Sequence, residues 1–341
     1  HHTSGLPDYV RMMDESWKTD LRYDDPARYI GGNEDVVKLL AEKKVPLAFT
    51  PGERWEYSNT GYDLLGTVVM RASGMSIHDF AQRYIFDPAG MSRTVMYDYV
   101  PGPDPAMPDR AYGFHVEWDG AHMTPSDGHY LNKAMGEDGV YSTVGDLLKW
   151  DRSLYTEKLV SKATLEEAFT RATLNDGSTT DYGFGWFIQQ TPTGKRMLQH
   201  SGGWLGFSTY ILRAIEEDKC IVVLMNNSSG RLWEITEGLT NLLFDRPAFL
   251  PPLSVRAEMG RVVADEGVRT AMVRYRDWKA EQPGGYIFKE IELNMLGYDL
   301  MWAGRTKDAV AIQELNLEEY PNSANAYDSY GDALLADGDT A

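Results

Sequence analysis

Residues 51–74 read PGERWEYSNTGYDLLGTVVMRASG, and this stretch decides the predicted fold. Pro51-Gly52 is a turn signal, and the Tyr57-Ser58-Asn59 tripeptide after it has the composition of a loop. Apolar residues at helical spacing predict a helix over residues 61–72, which Gly74 would end. These apolar residues fall on one helix face and are Leu64, Leu65, Val68 and Val69. The stretch therefore predicts a turn, a polar loop and a helix with one apolar face.

Four strand candidates follow in the second half of the chain, separated by short turns. They span residues 182–190, 196–201, 207–213 and 220–226. Short links favour an antiparallel meander, and the unbroken apolar run 221–224 predicts a strand covered on both faces. A helix predicted over residues 232–244 would cover this sheet. We interpret the aromatic residues of the first strand as sheet packing and not as a ligand site: Tyr182, Phe184, Trp186 and Phe187.

The last part of the chain has a different composition, with helix-forming residues and an internal repeat. Pro247, Pro251 and Pro252 mark a linker before it. Four pairs of residues are 34 positions apart, which is the period of a tetratricopeptide repeat: Leu293 and Tyr327, Gly297 and Gly331, Leu300 and Leu334, Gly304 and Gly338. We predict a domain over residues 1–245, a linker over 246–258 and a helical-repeat region over 259–341. A generic helical hairpin is the alternative interpretation of the tail.

The stretch 51–74, with landmarks before and after it, resembles the class C β-lactamase and D-Ala-D-Ala carboxypeptidase family of serine hydrolases. The landmarks occur in the family's order: HHTSGLP at 1–7, IFDP at 85–88, GVYST at 139–143 and HSGG at 200–203. The resemblance implies an α/β (α+β) fold of the β-lactamase/transpeptidase type. In it an antiparallel sheet is flanked by helices, and a mainly helical lobe holds Tyr57 over the sheet edge. We take His1-His2 as native sequence and not as a tag, because they belong to a landmark.

The resemblance also implies catalytic roles. In the family, the nucleophile and a lysine lie one helical turn apart in Ser-x-x-Lys, and a tyrosine shares protons with both. That tyrosine would be Tyr57, with its pKa lowered by the ammonium so that it acts as base and then as acid. His200 would help to hold the Tyr57 hydroxyl, and the Gly203 N–H would complete the oxyanion hole.

Substrate binding is implied for three further residues. Asn59 would hold the substrate's amide or the lysine, and Ser201 would hydrogen-bond a substrate carboxylate. Gly202 and Gly203 carry no side chain, which would let the substrate lie close to the strand.

The expected nucleophile is the main departure from the family. The 341 residues contain no Ser-x-x-Lys and no Gly-x-Ser-x-Gly. We expect the motif upstream of His1, the chain to be truncated at both ends, and the chain as written to be inactive. Two hypotheses remain. The parent protein is a serine hydrolase acting on a β-lactam, a D-amino acid peptide or a small ester, or it is a non-catalytic binding protein whose repeat tail docks a protein partner.

Composition excludes some other classes. The chain has 33 Lys and Arg against 51 Asp and Glu, a formal charge of −18, which argues against nucleic acids and anionic membranes as partners. No apolar run has the length of a membrane span. We expect neither a cofactor nor a metal, because His115, His122 and His129 lack flanking acidic pairs. The compartment stays open: the resemblance favours the periplasm or the cell exterior, while a single cysteine also fits the cytosol.

Overall fold

A computed structural model describes residues 1–12, 32–98, 107, 109–128, 132–228, 230–247 and 252–338. The chain divides into two compact units. The first comprises His1–Tyr112, Asp127–Asn226 and Leu243–Arg246, and the second comprises Gly113–Ser126, Asn227–Leu242 and Pro247–Ala341. The predicted domain boundaries at residues 245 and 258 stay a prediction, and Pro251 in the predicted linker lies outside the described residues.

The chain contains both helices and strands, in separate runs. The helices are α1 Tyr9–Met12, α2 Asn33–Lys43, α3 Asn59–Ser73, α4 Ile77–Ala81, α5 Asp87–Ala89, α6 Val144–Ser153, α7 Lys162–Ala168, α8 Leu232–Leu243, α9 Val255–Glu266, α10 Val268–Glu281, α11 Glu290–Trp302, α12 Thr306–Glu319 and α13 Ala324–Asp337. The strands are β1 Val95–Met96, β2 Phe114–Val116, β3 Met123–Pro125, β4 Val140–Tyr141, β5 Phe187–Gln190, β6 Arg196–Trp204, β7 Phe207–Ala214, β8 Lys219–Met225, β9 Leu253–Ser254 and β10 Tyr286–Ile287. This mixture confirms the predicted α/β class. None of the helices in the described part of the chain combines the length and apolar character of a membrane span.

The main sheet of the first unit is antiparallel, in the order β5-β6-β7-β8, which confirms the predicted meander. Strand β6 pairs with β7 so that His200 lies opposite Ile211 and Gly203 opposite Ser208. The first strand is shorter than predicted, because residues 182–186 form bends and an isolated bridge before β5 begins. The prediction that residues 221–224 are covered on both faces is wrong. Strand side chains alternate between faces, and here Ile221 is buried while Leu224 is 39% exposed.

A buried ion pair ties helix α6 to this sheet. The side chains of Arg213 on β7 and Asp151 on α6 are both 0% exposed. The guanidinium donates from Nε to the carboxylate at 2.5 Å and from Nη2 to the Asp151 carbonyl at 3.2 Å. The rings of Tyr155, Phe169 and Trp186 lie 5.2, 5.7 and 6.0 Å from the guanidinium carbon. The charge pair is therefore surrounded by aromatic rings, and water cannot replace the hydrogen bonds that the two side chains make with each other.

Helix α3 buries a different face from the one expected. Leu65 and Val68 are 55% and 58% exposed, so the apolar stripe does not pack into the described core. The buried side is formed by Thr60, Asp63, Gly66 and Thr67. At Gly66 a Cβ would lie 2.4 Å from the Met135 carbonyl oxygen, and the Asn33 amide donates to the carbonyls of Asp63 and Met135 at 2.9 and 2.6 Å. Close contact with main chain, and not apolar matching, therefore selects the buried face.

The second unit has a core built from α9 to α12. Its buried side chains include Val255, Met259, Tyr275, Leu293, Ile312 and Leu315. Helices α11 and α13 begin at Glu290 and Ala324, which are 34 positions apart (324 − 290). Gly304 and Gly338, which follow these helices, both have positive φ. This spacing agrees with the predicted repeat period, while assignment to the tetratricopeptide family stays a prediction.

Replacing Arg213 by methionine should lower the free energy of unfolding by about 3 kcal/mol, because Asp151 then loses its fully buried counter-charge. It keeps only the half-exposed Arg152, whose Nε lies 3.3 Å from Asp151 Oδ2. Urea denaturation at pH 7 measures the change. The double variant Arg213→Met with Asp151→Leu should recover most of the loss, since two apolar side chains can fill the same space. A single variant as stable as the wild type would contradict this account of the pair.

Candidate active site

Residues 2–5 form one side of the candidate site by running alongside residues 48–56. Three backbone hydrogen bonds of 2.8–2.9 Å join the two segments, from Ala48 N–H to Gly5 C=O, from Gly52 N–H to Thr3 C=O and from Glu56 N–H to His2 C=O. Gly5 has a φ of +74°, and a Cβ there would lie 2.1 Å from the Phe49 carbonyl oxygen. This pairing fixes the chain immediately before Tyr57.

Tyr57 and His200, predicted from distant parts of the sequence, come together in this site. The Tyr57 side chain is exposed, and its ring centroid lies 4.1 Å from that of His2 and 6.2 Å from that of His200. Both ring nitrogens of His200 are engaged elsewhere, with Tyr182 at 2.8 Å and the Ser201 carbonyl at 2.6 Å. Neither nitrogen is therefore left for the Tyr57 hydroxyl, as the role suggested for His200 would require.

Asn59 is held by a carboxylate. Its backbone N–H and its side-chain Nδ2 both donate to Asp8 Oδ2, at 2.9 and 3.0 Å. One of the two Nδ2 hydrogens is thereby used by Asp8, and the amide oxygen is the atom through which Asn59 could accept a hydrogen bond from a ligand.

The glycines of β6 differ in their surroundings. A Cβ on Gly202 would lie 2.3 Å from Thr209 Oγ1, so this position is closed to side chains. Around Gly203 no heavy atom comes within 4 Å of such a Cβ, and the residue is exposed. Ser201, half-buried next to them, pairs with Tyr210 on β7. The open backbone at Gly203 is where another molecule could approach the strand.

A chain of hydrogen bonds runs beneath Tyr57. The Ser58 N–H donates to His2 Nδ1 at 3.2 Å, and His2 Nε2 lies 3.2 Å from Tyr182 Oη. Tyr182 Oη lies 2.8 Å from His200 Nε2, and His200 Nδ1 donates to the Ser201 carbonyl. Tyr182 is 1% exposed. The loop before α3 is thus connected to strand β6 through three side chains.

Sequence reasoning missed two members of this chain. The sequence favours sheet packing for Tyr182, whereas in the structure it precedes β5 and its hydroxyl bridges two histidines. The sequence identifies His2 only as part of the HHTSGLP landmark. A usable signal for Tyr182 is its context, Asp181-Tyr-Gly-Phe-Gly-Trp186, because flanking glycines permit bends that turn a buried phenol toward a neighbouring strand.

Burial keeps both histidines neutral. It lowers the pKa of His2 to about 4, with smaller contributions from the N-terminal ammonium and from His200. Burial also lowers the pKa of His200, against the effect of the Ser201 carbonyl. The Tyr57 side chain is 42% exposed, but the groups packed around its ring still remove part of its hydration. That partial desolvation, and then the carboxylates Glu137, Asp8 and Asp138, raise the pKa of the phenol. The surroundings described for Tyr57 therefore disfavour the tyrosinate that a proton-accepting role needs.

Three carboxyl groups with raised pKa values lie close enough to influence one another. Burial, then Glu137 and Asp138, raise the pKa of Asp63 to about 8, and burial raises the pKa of Asp138 to about 7. Both Asp63 carboxyl oxygens are buried without a hydrogen-bond partner in the described structure. Glu137 accepts from the Tyr9 hydroxyl at 2.6 Å, and burial raises its pKa as well. At neutral pH this group holds protons that exposed carboxyls would release.

Within the part of the chain that the structure describes, no group of three or more His, Cys, Asp or Glu side chains is arranged to hold a metal ion. His129, one of the three evenly spaced histidines, lies outside the described residues.

Comparison with known proteins gives a matching family and several relatives. Residues 1–237 match the family described as Beta-lactamase. The chain is similar to a penicillin-binding protein of Bacillus subtilis, with 36% identity over 263 residues that cover 74% of this chain and 56% of that protein. It is also similar to a D-aminopeptidase of Gluconobacter oxydans, with 24% identity over 231 residues that cover 67% of this chain and 41% of that protein.

A solved structure supports the fold. The octameric penicillin-binding protein homologue from Pyrococcus abyssi superimposes with a TM-score of 0.59 at 24% identity, covering 78% of this chain and 58% of that chain. The fold is thus of the β-lactamase/transpeptidase type, as predicted. The chain spans about half the length of the curated relatives it matches.

The buried carboxyl of Asp63 should make the protein less stable as pH rises. Its pKa is 3.8 in the unfolded chain and about 8 in the folded one, so between these values folding must retain a proton that the unfolded state releases. Asp63→Asn should weaken this decline and be more stable than the wild type at pH 8 by about 1 kcal/mol or more. Urea denaturation from pH 5 to 9 measures it.

Glu42→Gln, which removes an exposed carboxyl of α2, is the matched control and should leave the pH dependence unchanged. If Asp63→Asn and Glu42→Gln follow the same curve as the wild type, the carboxyl of Asp63 is ionised in the folded protein and the account fails.

Proposed function

The chain belongs to the beta-lactamase family, and on that premise we propose that the parent protein is a serine hydrolase that cleaves an amide or ester bond through an acyl-enzyme. The observation that carries the proposal is the position of Tyr57, an exposed phenol in the same site as β6 and its open Gly203 backbone. Acyl transfer needs a proton-transfer group and backbone N–H donors for the developing oxyanion. Tyr57 and the Gly203 N–H are our candidates for these roles.

The nucleophile, in this proposal, lies outside these 341 residues. Two facts support it: the sequence contains no Ser-x-x-Lys, and the curated relatives are longer than the chain. A lysine supplied with the serine would also place a cation near Glu137, Asp8 and Asp138. It would thereby offset the carboxylates that raise the Tyr57 pKa.

Substrates are proposed from the same premise. A β-lactam, a D-amino acid peptide and a small ester all present a carbonyl that a serine can attack. Ser201 is our candidate to hydrogen-bond a substrate carboxylate, and Asn59 to accept a bond from the substrate's amide. Gly202 keeps the strand backbone closely packed beside Thr209.

The tail is proposed to be a tetratricopeptide-type repeat that docks a protein partner. The 34-residue offset between α11 and α13 supports this assignment. So does the contact at Gly297, where a Cβ would lie 2.2 Å from the Gln313 amide of the neighbouring α12, since repeat helices pack closely at small residues.

The 341-residue chain alone should form no covalent adduct with a fluorescent penicillin or a fluorophosphonate, because it carries no Ser-x-x-Lys. Intact-protein mass spectrometry after incubation measures the adduct. A stoichiometric mass increase on this chain would contradict the proposed location of the nucleophile.

In the longer parent protein, Tyr57→Phe should lower kcat/KM by about 10²–10⁴-fold, because the phenol carries the proton between serine and leaving group. Turnover of nitrocefin, a D-alanine anilide and a nitrophenyl ester would be compared. Tyr84→Phe is the matched control, since it removes a hydroxyl from another exposed tyrosine of the first unit. Absence of turnover with retained binding of one of these compounds would favour the non-catalytic hypothesis.

A further inference from the structure

The backbone groups at the two ends of the hydrogen-bonded chain beneath Tyr57, the Ser58 N–H and the Ser201 carbonyl, determine which atom donates in each bond. The Ser58 backbone N–H can only donate, so His2 Nδ1 must accept. A neutral His2 then carries its proton on Nε2 and donates to Tyr182 Oη. The Ser201 carbonyl can only accept, so His200 Nδ1 carries the proton and His200 Nε2 is the acceptor. Tyr182 therefore donates its hydroxyl proton to His200.

The two assignments meet consistently at Tyr182. Its oxygen accepts from His2 and its proton goes to His200. The hydroxyl also interacts with that of Tyr62, which can only act as the donor because the Tyr182 proton is used by His200. The result is opposite tautomers, with the proton on Nε2 in His2 and on Nδ1 in His200. Burial of both rings favours their neutral forms, which this pattern requires.

We infer that Tyr182 and His2 are positioning residues that hold the Tyr57 loop against strand β6, and that His200 is their anchor on the strand and not a proton carrier at the reacting atoms. The chain of bonds begins at Ser58, the residue after Tyr57, and ends at Ser201, two residues before Gly203. It therefore sets the spacing between the phenol and the open strand backbone. The catalytic meaning of that spacing rests on the proposed function, but the tautomers and the loop position do not.

Protonation of either histidine would disrupt this arrangement. A proton on His2 Nδ1 would face the Ser58 N–H, so that two donors would meet. A proton on His200 Nε2 would likewise face the hydroxyl proton of Tyr182. The titratable groups that face the two rings are the N-terminal ammonium, Tyr57, Tyr62 and Tyr182. The tyrosines are neutral at the pH where the histidines would titrate, so these protonation changes are confined to the rings and the ammonium.

The first test measures tautomers on the 341-residue chain labelled with ¹⁵N-histidine. Long-range ¹H–¹⁵N spectra at pH 7 should show the Nε2–H form for His2 and the Nδ1–H form for His200, with assignments from His2→Gln and His200→Gln. Finding both rings in the same tautomer would overturn the inference. This measurement needs no activity, so it stands apart from failure of the hydrolase proposal.

The second test removes the bridging hydroxyl. Tyr182→Phe should raise the pKa of His200, because the donor to its neutral Nε2 is lost. Hydrogen exchange at the Ser58 amide should become several-fold to about tenfold faster, since one tenfold step corresponds to about 1.4 kcal/mol, the upper end of the net worth of such a bond. Tyr210→Phe is the matched control, a buried tyrosine of β7 that takes no part in the four bonds.

The outcomes separate positioning from general stability. If Tyr182→Phe and Tyr210→Phe change Ser58 exchange equally, or if His200 titrates as in the wild type, Tyr182 does not position the loop. If Tyr182→Phe does not fold, the wild-type tautomers still decide the matter. In an active parent protein, Tyr182→Phe should lower kcat with little change in KM, because it displaces the phenol and not the substrate.

Discussion

The hydroxyl of Tyr182 is the polar atom on which the arrangement of the candidate site depends. It connects His2, near the beginning of the first unit, to His200 on β6, and through them it joins the Tyr57 loop to the sheet. The Tyr182 side chain is almost completely buried, so water cannot replace either partner. An unpaired hydroxyl there would cost about 1–3 kcal/mol. This cost gives the loop one favoured position relative to the strand.

The electrostatics of the described site make Tyr57 a poor proton acceptor. Partial desolvation and carboxylates raise the pKa of Tyr57, and Asp63 and Asp138 hold protons at pH values where carboxyls are ordinarily ionised. A site of this kind gains most from a cation, because one positive charge would lower the pKa of the phenol and compensate the carboxylates together. The sequence shows the family, but proton transfer by Tyr57 depends on whether a cation lies near its phenol.

Sequence patterns predicted element types better than buried faces. The meander β5-β6-β7-β8 follows from short turns between β-rich runs, a local property. For α3 the apolar stripe at Leu65 and Val68 was a misleading guide, because the buried side is chosen by how closely Gly66 can approach the main chain at Met135. Close approach depends on size at one position and on a partner far away in sequence, and hydrophobic periodicity reports neither.

The sequence by itself determined the family, the order of the elements and the identities of Tyr57, Asn59, His200 and Gly203 as candidates, because motifs and short-range spacing are local. Only the tertiary structure decided their partners. In the structure Asn59 donates to Asp8, and both nitrogens of His200 have hydrogen-bond partners. His2 and Tyr182 also lie in the site. A hydrogen bond forms only where folding places a donor and an acceptor within about 3 Å of each other. For residues far apart in the chain, a short stretch of sequence does not reveal that distance.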